Sequence, residues 1–190
     1  MTRIIAGTVG GRRLTTPPGD GTRPTSDRVR ESLFSRLEHL EALRGATVLD
    51  LYAGSGALGL EAASRGATSV TLVESDRKAA KVIQRNISDL DLSQCRVRAE
   101  TVERALAGAP AEGTVDLLLA DPPYDVPPEA LDGVLELAIP WLAADALLVV
   151  ERSSHSPEPT WPADVELIGP RRYGDTVMWF AEYIPEGEIA

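Results

Sequence analysis

A four-residue run, Asp121-Pro122-Pro123-Tyr124, has the residue types needed to hold an exocyclic amino group of a nucleic-acid base. Such an amine is a poor nucleophile because its lone pair is delocalised into the ring, so a catalyst must grip its N–H groups and align the nitrogen. The Asp121 carboxylate and the Pro122 carbonyl are acceptors, and the two prolines have no N–H and stiffen the turn. Tyr124 adds an aromatic face on which a flipped base could stack. The tetrapeptide therefore predicts a catalytic loop for chemistry at a base amine.

A glycine-rich run at residues 50–59 predicts a second functional loop. Its glycines follow the pattern G-x-G-x-x-G, and Glu74 follows about 20 residues later, where a carboxylate that binds ribose is expected. Both NAD and S-adenosylmethionine have ribose hydroxyls for Glu74. Asp50 precedes the first glycine by four residues, and its negative charge favours a cationic amino-acid group over a pyrophosphate. The run therefore predicts S-adenosylmethionine as the cofactor.

Between residues 47 and 150, short apolar runs alternate with amphipathic stretches, which is the pattern of a parallel sheet covered by helices on both faces. Two later strands are adjacent in sequence and predict an antiparallel pair at a sheet edge. Because the fourth predicted strand ends at residue 121, the tetrapeptide is expected at the carboxyl edge of the sheet, where open α/β folds bind ligands. The predicted strands are 47–52, 69–74, 96–100, 115–121, 146–151, 165–168 and 177–183, and the predicted helices are 27–43, 58–65, 76–90 and 130–142.

The N-terminal segment predicts a docking site for a polyanion. The chain has a formal charge of −10, yet residues 1–36 are net positive. Segments 3–6 and 13–15 flank a glycine-rich turn and predict a small hairpin. We therefore divide the chain into an extension at 1–26 and a larger domain at 27–190. The residues expected to contact RNA are Arg3, Arg12, Arg13, Arg23, Thr25, Arg28 and Arg30. A surface arm that only aids solubility, or a helix start near Thr25, is the alternative interpretation.

Composition restricts the remaining classes of protein. A chain of 190 residues with 43% hydrophobic content predicts one core. The sequence has neither a long apolar run nor a secretory signal, so we expect a cytoplasmic protein. Cys95 has no second cysteine to pair with, and two histidines do not suggest a zinc site. We expect no metal and a monomer.

Together these motifs resemble the amino-methyltransferases that act on nucleic-acid bases. Residues 3–7, 11–14 and especially 23–34 closely resemble the bacterial 16S ribosomal RNA guanine-N2 methyltransferase family. The resemblance covers nearly the whole chain. It implies an α/β fold of the Rossmann-like, S-adenosylmethionine-dependent methyltransferase type, with a seven-stranded, mostly parallel sheet and an antiparallel terminal hairpin. It also implies methylation of the 2-amino group of one guanine in small-subunit rRNA, on a partly assembled 30S particle.

The same resemblance assigns residues to the cofactor. After the third strand, many relatives place an acidic residue that binds the adenine amine, whereas this chain has Glu100-Thr101-Val102, so Glu100 or the backbone near Val102 could serve. The residues expected to bind the cofactor are Asp50, Tyr52, Gly54, Ser55, Gly56, Glu74, Ser75, Thr101, Val102 and Asp121.

Three other functions fit part of the sequence. An NAD-dependent oxidoreductase would use the glycine run and Glu74, but it gives Asp50 and the tetrapeptide no role. An adenine-N6 methyltransferase would use the same tetrapeptide, because the loop recognises an amine and not a particular base. A non-catalytic RNA-binding assembly factor could retain the fold without the reaction.

Overall fold

The computed structural model describes residues 2–17, 26–108 and 113–185, and within them seven strands form one sheet. The first five strands are parallel, and the last two are antiparallel, as predicted. The strands are β1 (Thr47–Leu51), β2 (Ser69–Val73), β3 (Cys95–Arg98), β4 (Val115–Ala120), β5 (Leu142–Ser153), β6 (Val165–Tyr173) and β7 (Thr176–Tyr183). Their order across the sheet is β3-β2-β1-β4-β5-β7-β6, so β7 lies between β5 and β6.

The helices follow the predicted positions with shifted ends. The 27–43 prediction was too long, because Glu41 adopts a left-handed φ of 56° just after the helix. The 130–142 prediction was also too long, since a 3₁₀ turn at Ile139–Trp141 follows the α-helix. The five-residue α4 was not predicted, because a helix this short has too few residues to show periodicity. The helices are α1 (Asp27–His39), α2 (Ala57–Ser64), α3 (Arg77–Leu90), α4 (Val102–Leu106) and α5 (Pro128–Ala138).

Apolar side chains cover both faces of the sheet. On one face, Leu33 and Phe34 of α1 pack with α2, α3 and one set of strand residues. On the other, Leu131 and Leu135 of α5 pack with α4 and the alternate strand residues. The two clusters explain why the strands read as continuous apolar runs, since successive side chains enter opposite cores. Among the described residues, no helix has the length and apolar character needed to cross a membrane.

The N-terminal segment forms the predicted hairpin, but with a single bridge in place of two paired strands. Arg3 and Arg13 make a single antiparallel bridge, and the Ile4 N–H donates to the Arg12 carbonyl at 2.8 Å. The turn presses on α2 at Gly7, where φ is +83° and a Cβ would lie 2.0 Å from the Ser64 carbonyl oxygen. Only glycine fits at this contact. The division of the chain after residue 26 remains an interpretation.

Two buried polar residues hold this segment on the sheet domain. The Glu61 carboxylate of α2 accepts the N–H groups of Ile5 and Ala6 at 2.7 and 3.0 Å, and it pairs with Arg65 at 2.7 Å. Asn86 of α3 accepts the Thr15 N–H and donates to the Thr15 carbonyl, both at 2.9 Å. These contacts satisfy backbone groups that a free arm would leave to water.

Candidate active site at the carboxyl edge of the sheet

Asp50, near the end of β1, is a buried residue that contacts the end of the glycine-rich run. Its carboxylate is 1% exposed, and its Oδ2 accepts the Gly59 N–H at 2.8 Å. A Cβ at Gly59 would lie 2.9 Å from that oxygen and 2.8 Å from Leu72 Cδ2, so the close approach requires glycine. The sequence places Asp50 against the cation of the cofactor. In this conformation its carboxylate instead contacts the Gly59 N–H in the first turn of α2.

Burial also changes the acidity of this carboxyl group. Loss of water raises the pKa of Asp50 to about 7, the Gly59 hydrogen bond opposes the rise, and the negative charge of Glu74 adds to it. The folded protein therefore retains a proton on Asp50 at pH values where the unfolded chain, with an ordinary pKa of 3.8, has lost it.

This linkage predicts a pH-dependent stability difference between the ligand-free protein and the Asp50→Asn variant. Below about pH 4 both states of Asp50 are protonated, and between about pH 4 and pH 7 unfolding releases a proton, so the wild-type free energy of unfolding falls as the pH rises. Asn at this position does not titrate. Urea unfolding of both proteins across this range should show the wild type losing stability relative to the variant. A pH-independent difference between the two curves would contradict the prediction.

The glycine loop after β1 bends through left-handed backbone. Tyr52 has a φ of 61°, Gly54 of 57° and Gly56 of 82°, and Gly56 immediately precedes α2. Tyr52 is half-buried, which raises the pKa of its phenol to about 12, with Glu103 adding to the rise and Arg152 opposing it. The N–H groups of Ala53, Gly54 and Gly56 are hydrogen-bonded within the protein, and the glycines leave backbone without a Cβ at the carboxyl edge, where a ligand can approach closely.

Glu74 connects this loop to the next helix. Its Oε2 accepts the Gly54 N–H at 2.8 Å, and its Oε1 accepts the Asp76 N–H at 2.7 Å. Asp76 in turn caps α3 by accepting the N–H groups of Lys78 and Ala79. Glu74 is half-buried and Ser75 is exposed beside it. Each carboxylate oxygen has a further acceptor position, so the Glu74 side chain can hold the loop and still receive ribose hydroxyls.

The segment after β3 is arranged differently from its predicted role. The Glu100 carboxylate pairs with Arg98 at 2.7 Å and with Arg104 at 3.5 Å. The Thr101 side chain accepts the Arg104 N–H at the start of α4, and Val102 is buried. Because Glu100 already has two arginine partners, the arrangement favours backbone groups near Thr101 and Val102 over the Glu100 carboxylate for an adenine amine. That assignment remains a prediction.

The tetrapeptide leaves β4 directly beside the glycine loop. The Asp121 N–H donates to the Leu51 carbonyl at 3.5 Å, which joins the predicted catalytic loop to the end of β1. Pro122 is buried, Pro123 is exposed, and the Tyr124 ring is 56% exposed. The structure therefore brings together the two predicted loops.

Arg152 of β5 holds the far side of this loop and was missed by the sequence analysis. Its guanidinium is 5% exposed, and one amino group donates to the Val126 carbonyl at 3.0 Å. The Val126 N–H closes the turn on the Pro123 carbonyl at 3.0 Å. The available signal was the pair of charged residues Glu151 and Arg152 at the end of an apolar run, since a buried arginine must find acceptors.

The predicted RNA-binding arginines divide into two groups. Arg3, Arg12, Arg13 and Arg28 are exposed, and a cavity of about 340 Å³ is lined by Arg3, Gly11, Arg13 and Asp27. Arg23 and Thr25 lie outside the described residues.

The position of Arg30 does not fit its predicted contact with RNA. It is 1% exposed, and its guanidinium donates to the Arg3 carbonyl and to Asp27 at 3.1 Å. Burial lowers the pKa of Arg30, and the Asp27 charge opposes that shift. An enclosed guanidinium is not available to RNA in this conformation, so Arg30 ties the N-terminal segment to α1.

The sheet order, the antiparallel β7 and the ligand edge at β1 and β4 define the fold of S-adenosylmethionine-dependent methyltransferases. The Escherichia coli protein yhhF superposes with a TM-score of 0.84 and 36% identity, covering 96% of this chain and 97% of that one. The protein SMU.776, crystallised with SAH, has a TM-score of 0.70 and 13% identity, covering 85% of this chain and 50% of that one. This second likeness is one of fold alone.

Sequence comparison narrows the class to a family. The family model described as Conserved hypothetical protein 95 matches residues 2–182. Ribosomal RNA small subunit methyltransferase D of Escherichia coli is 40% identical over 172 residues, which cover 87% of this chain and 81% of that protein. The chain therefore belongs to the ribosomal RNA small subunit methyltransferase D family. No cluster of metal-binding side chains occurs in the part of the chain that the structure describes.

Proposed function

We propose that the protein transfers the methyl group of S-adenosylmethionine to the 2-amino group of a guanine in 16S rRNA. The observation that supports this most directly is the Asp121–Leu51 backbone contact, which joins the amine-binding loop to the cofactor loop. Methyl transfer requires donor and acceptor to be held in line at one place. The relative named above acts on small-subunit RNA, which supports RNA as the acceptor. Guanine is supported by the resemblance of residues 23–34 to guanine-N2 enzymes.

The residues of this chain perform the alignment. The sulfonium of the cofactor supplies an activated methyl group, so a direct displacement needs no strong base. The Asp121 carboxylate and the Pro122 carbonyl accept hydrogen bonds from the two N–H groups of the amine. These bonds direct the nitrogen lone pair towards the methyl carbon. Tyr124 stacks on the guanine ring. As the N–C bond forms and the C–S bond breaks, the nitrogen becomes cationic, and its proton then passes to Asp121 or to water.

The cofactor assignment can be tested separately from the RNA. Glu74 would receive the ribose hydroxyls, and the loop containing Gly54, Ser55 and Gly56 would cover the methionine side. We expect calorimetric titration to show binding of S-adenosylmethionine and none of NAD at comparable concentrations. Tight binding of NAD alone would favour the oxidoreductase and overturn the proposal.

The acceptor assignment needs small ribosomal subunits isolated from cells that lack the protein. Incubation with tritiated cofactor should label 16S rRNA, and mass mapping should place the label on one N2-methylguanine. Label on adenine would favour the N6 alternative, and specific RNA binding without label would favour the assembly factor. Parallel reactions with naked 16S rRNA and with 30S particles test our proposal that the particle is the substrate. We further propose that the enzyme acts as a monomer in the cytoplasm.

A further inference from the structure

The tip of the β6–β7 hairpin lies at the same edge of the sheet as the catalytic loop. Strand register pairs Ala120 with Val150, Val150 with Trp179, and Trp179 with Pro170, so these four residues form one row across the sheet. Asp121 directly follows Ala120 of β4, and Arg171 directly follows Pro170 of β6. The hairpin therefore carries residues 171–176 to the catalytic edge, although more than 40 residues of chain separate them from Asp121.

The distance between the two positions suits a nucleic-acid strand. Moving from β4 to β6 crosses three strand spacings of about 4.8 Å, which is roughly 14 Å. Arg171 and Arg172 are successive residues of β6, so their side chains extend from opposite faces of the sheet. An RNA strand that presents one base to Asp121 and crosses the hairpin tip can therefore meet one guanidinium group on each face of the sheet, a few nucleotides away.

Both arginines are available for such a contact. Each is exposed, and among the described residues neither pairs with a carboxylate, while Arg171 donates only to its neighbouring Pro170 carbonyl at 3.0 Å. A guanidinium group without a carboxylate partner can bind a phosphate without first breaking an ion pair.

Contacts to two neighbouring elements hold the hairpin tip in place. The Tyr173 and Ser32 hydroxyls are hydrogen-bonded at 2.9 Å, which joins the tip to α1. The Ser154 N–H donates to the Asp175 carbonyl at 2.8 Å, which joins it to the end of β5. Arg28 precedes Ser32 by four residues and so lies on the same face of α1, one turn away. The tip is thus continuous with a predicted RNA-binding arginine of the N-terminal region.

We propose that Arg171 and Arg172, together called the hairpin-tip arginines, bind phosphates of the rRNA next to the target nucleotide. The inference rests on the proposed function and extends it, because the sequence analysis assigned RNA contacts to the N-terminal segment alone. Phosphate contacts of this kind position the substrate and do not read its sequence. The hairpin-tip arginines are therefore positioning residues for the base that Asp121 receives.

The test uses the full-length double variant R171A/R172A with undermethylated 30S particles. We expect KM for the particle to rise roughly tenfold at physiological salt, with kcat and the Kd for S-adenosylmethionine unchanged. The dependence of log(kcat/KM) on log salt should become shallower by about one for each arginine removed. A loss of folding would instead change cofactor affinity, which makes the two causes separable.

The matched control is R44A/R85A, which removes the same charge elsewhere. Arg44 is exposed just before β1, at the opposite edge of the sheet, and Arg85 is exposed on α3. The control should keep the wild-type KM and salt slope. Wild-type values in R171A/R172A, or equal increases in both variants, would overturn the inference while leaving the proposed function intact. Absence of methyl transfer by the wild-type protein would instead contradict the proposed function.

Discussion

Replacing Asp121 with Ala is expected to lower the methyl-transfer rate by at least about 10²–10³-fold, the usual effect of removing one preorganised polar group from a reacting centre. The variant loses the carboxylate that accepts an amine hydrogen, while its backbone N–H can still donate to the Leu51 carbonyl. The loop should therefore keep its place, and although Asp121 is also one of the residues expected to bind the cofactor, the Kd for S-adenosylmethionine should change much less than the rate. Single-turnover methylation of 30S particles and calorimetric titration of the cofactor measure the two quantities.

The matched control for this prediction is Asp121→Asn. Asparagine keeps the size of the side chain and one acceptor oxygen. Its amide N–H groups, however, would face an N–H group of the guanine amine, and two donors cannot form a hydrogen bond. Its rate should fall between those of the Ala variant and the wild type. Methyl transfer by Asp121→Ala at close to the wild-type rate would show that the carboxylate does not hold the amine, and the proposed mechanism would be wrong.

The sequence predicted the parts of the site that depend on local pattern. The parallel strands follow from continuous apolar runs, and the positions of Glu74 and Asp121 follow because each comes directly after such a run. Once the sheet is parallel, the carboxyl ends of β1, β2 and β4 must meet at one edge. The proximity of the two loops was therefore predictable without knowledge of any side-chain contact.

The contacts that fix the N-terminal segment were not predictable in the same way. Glu61 and Asn86 bind backbone groups that are more than 50 residues away in sequence. A glutamate or an asparagine in an amphipathic helix ordinarily faces solvent, so neither residue type indicated burial. The burial of Arg30 was not predicted for the same reason, because charge alone does not distinguish a surface arginine from one that donates to a carbonyl in the interior.

The hairpin-tip arginines show a limit of a different kind. The two terminal strands were predicted as an antiparallel pair, but nothing local in the sequence placed β7 between β5 and β6. That strand order sets the direction of the hairpin, and the direction decides which edge receives Arg171 and Arg172. Their relation to Asp121 is a property of the topology.

Replacing Glu74 with Ala is expected to raise the Kd for S-adenosylmethionine by roughly 10²-fold or more. A hydrogen bond to a charged group contributes about 1.5–3 kcal/mol, and the Glu74 carboxylate would accept from the ribose while it holds the Gly54 and Asp76 N–H groups. The variant thus loses both the ligand contact and the support of the glycine loop. Calorimetric titration measures the affinity for the cofactor. Thermal unfolding without ligand measures how much stability the protein loses when the glycine loop is no longer supported.

The Glu74→Gln variant separates these two contributions. A glutamine has one acceptor oxygen and one donor group, so it can satisfy either the Gly54 N–H or the Asp76 N–H but not both. If ribose binding dominates, Gln should restore most of the thermal stability and little of the cofactor affinity. If the loop contact dominates, affinity and stability should recover together. Wild-type affinity in Glu74→Ala would exclude this carboxylate from the cofactor site and would remove the feature that links the glycine loop to a ribose.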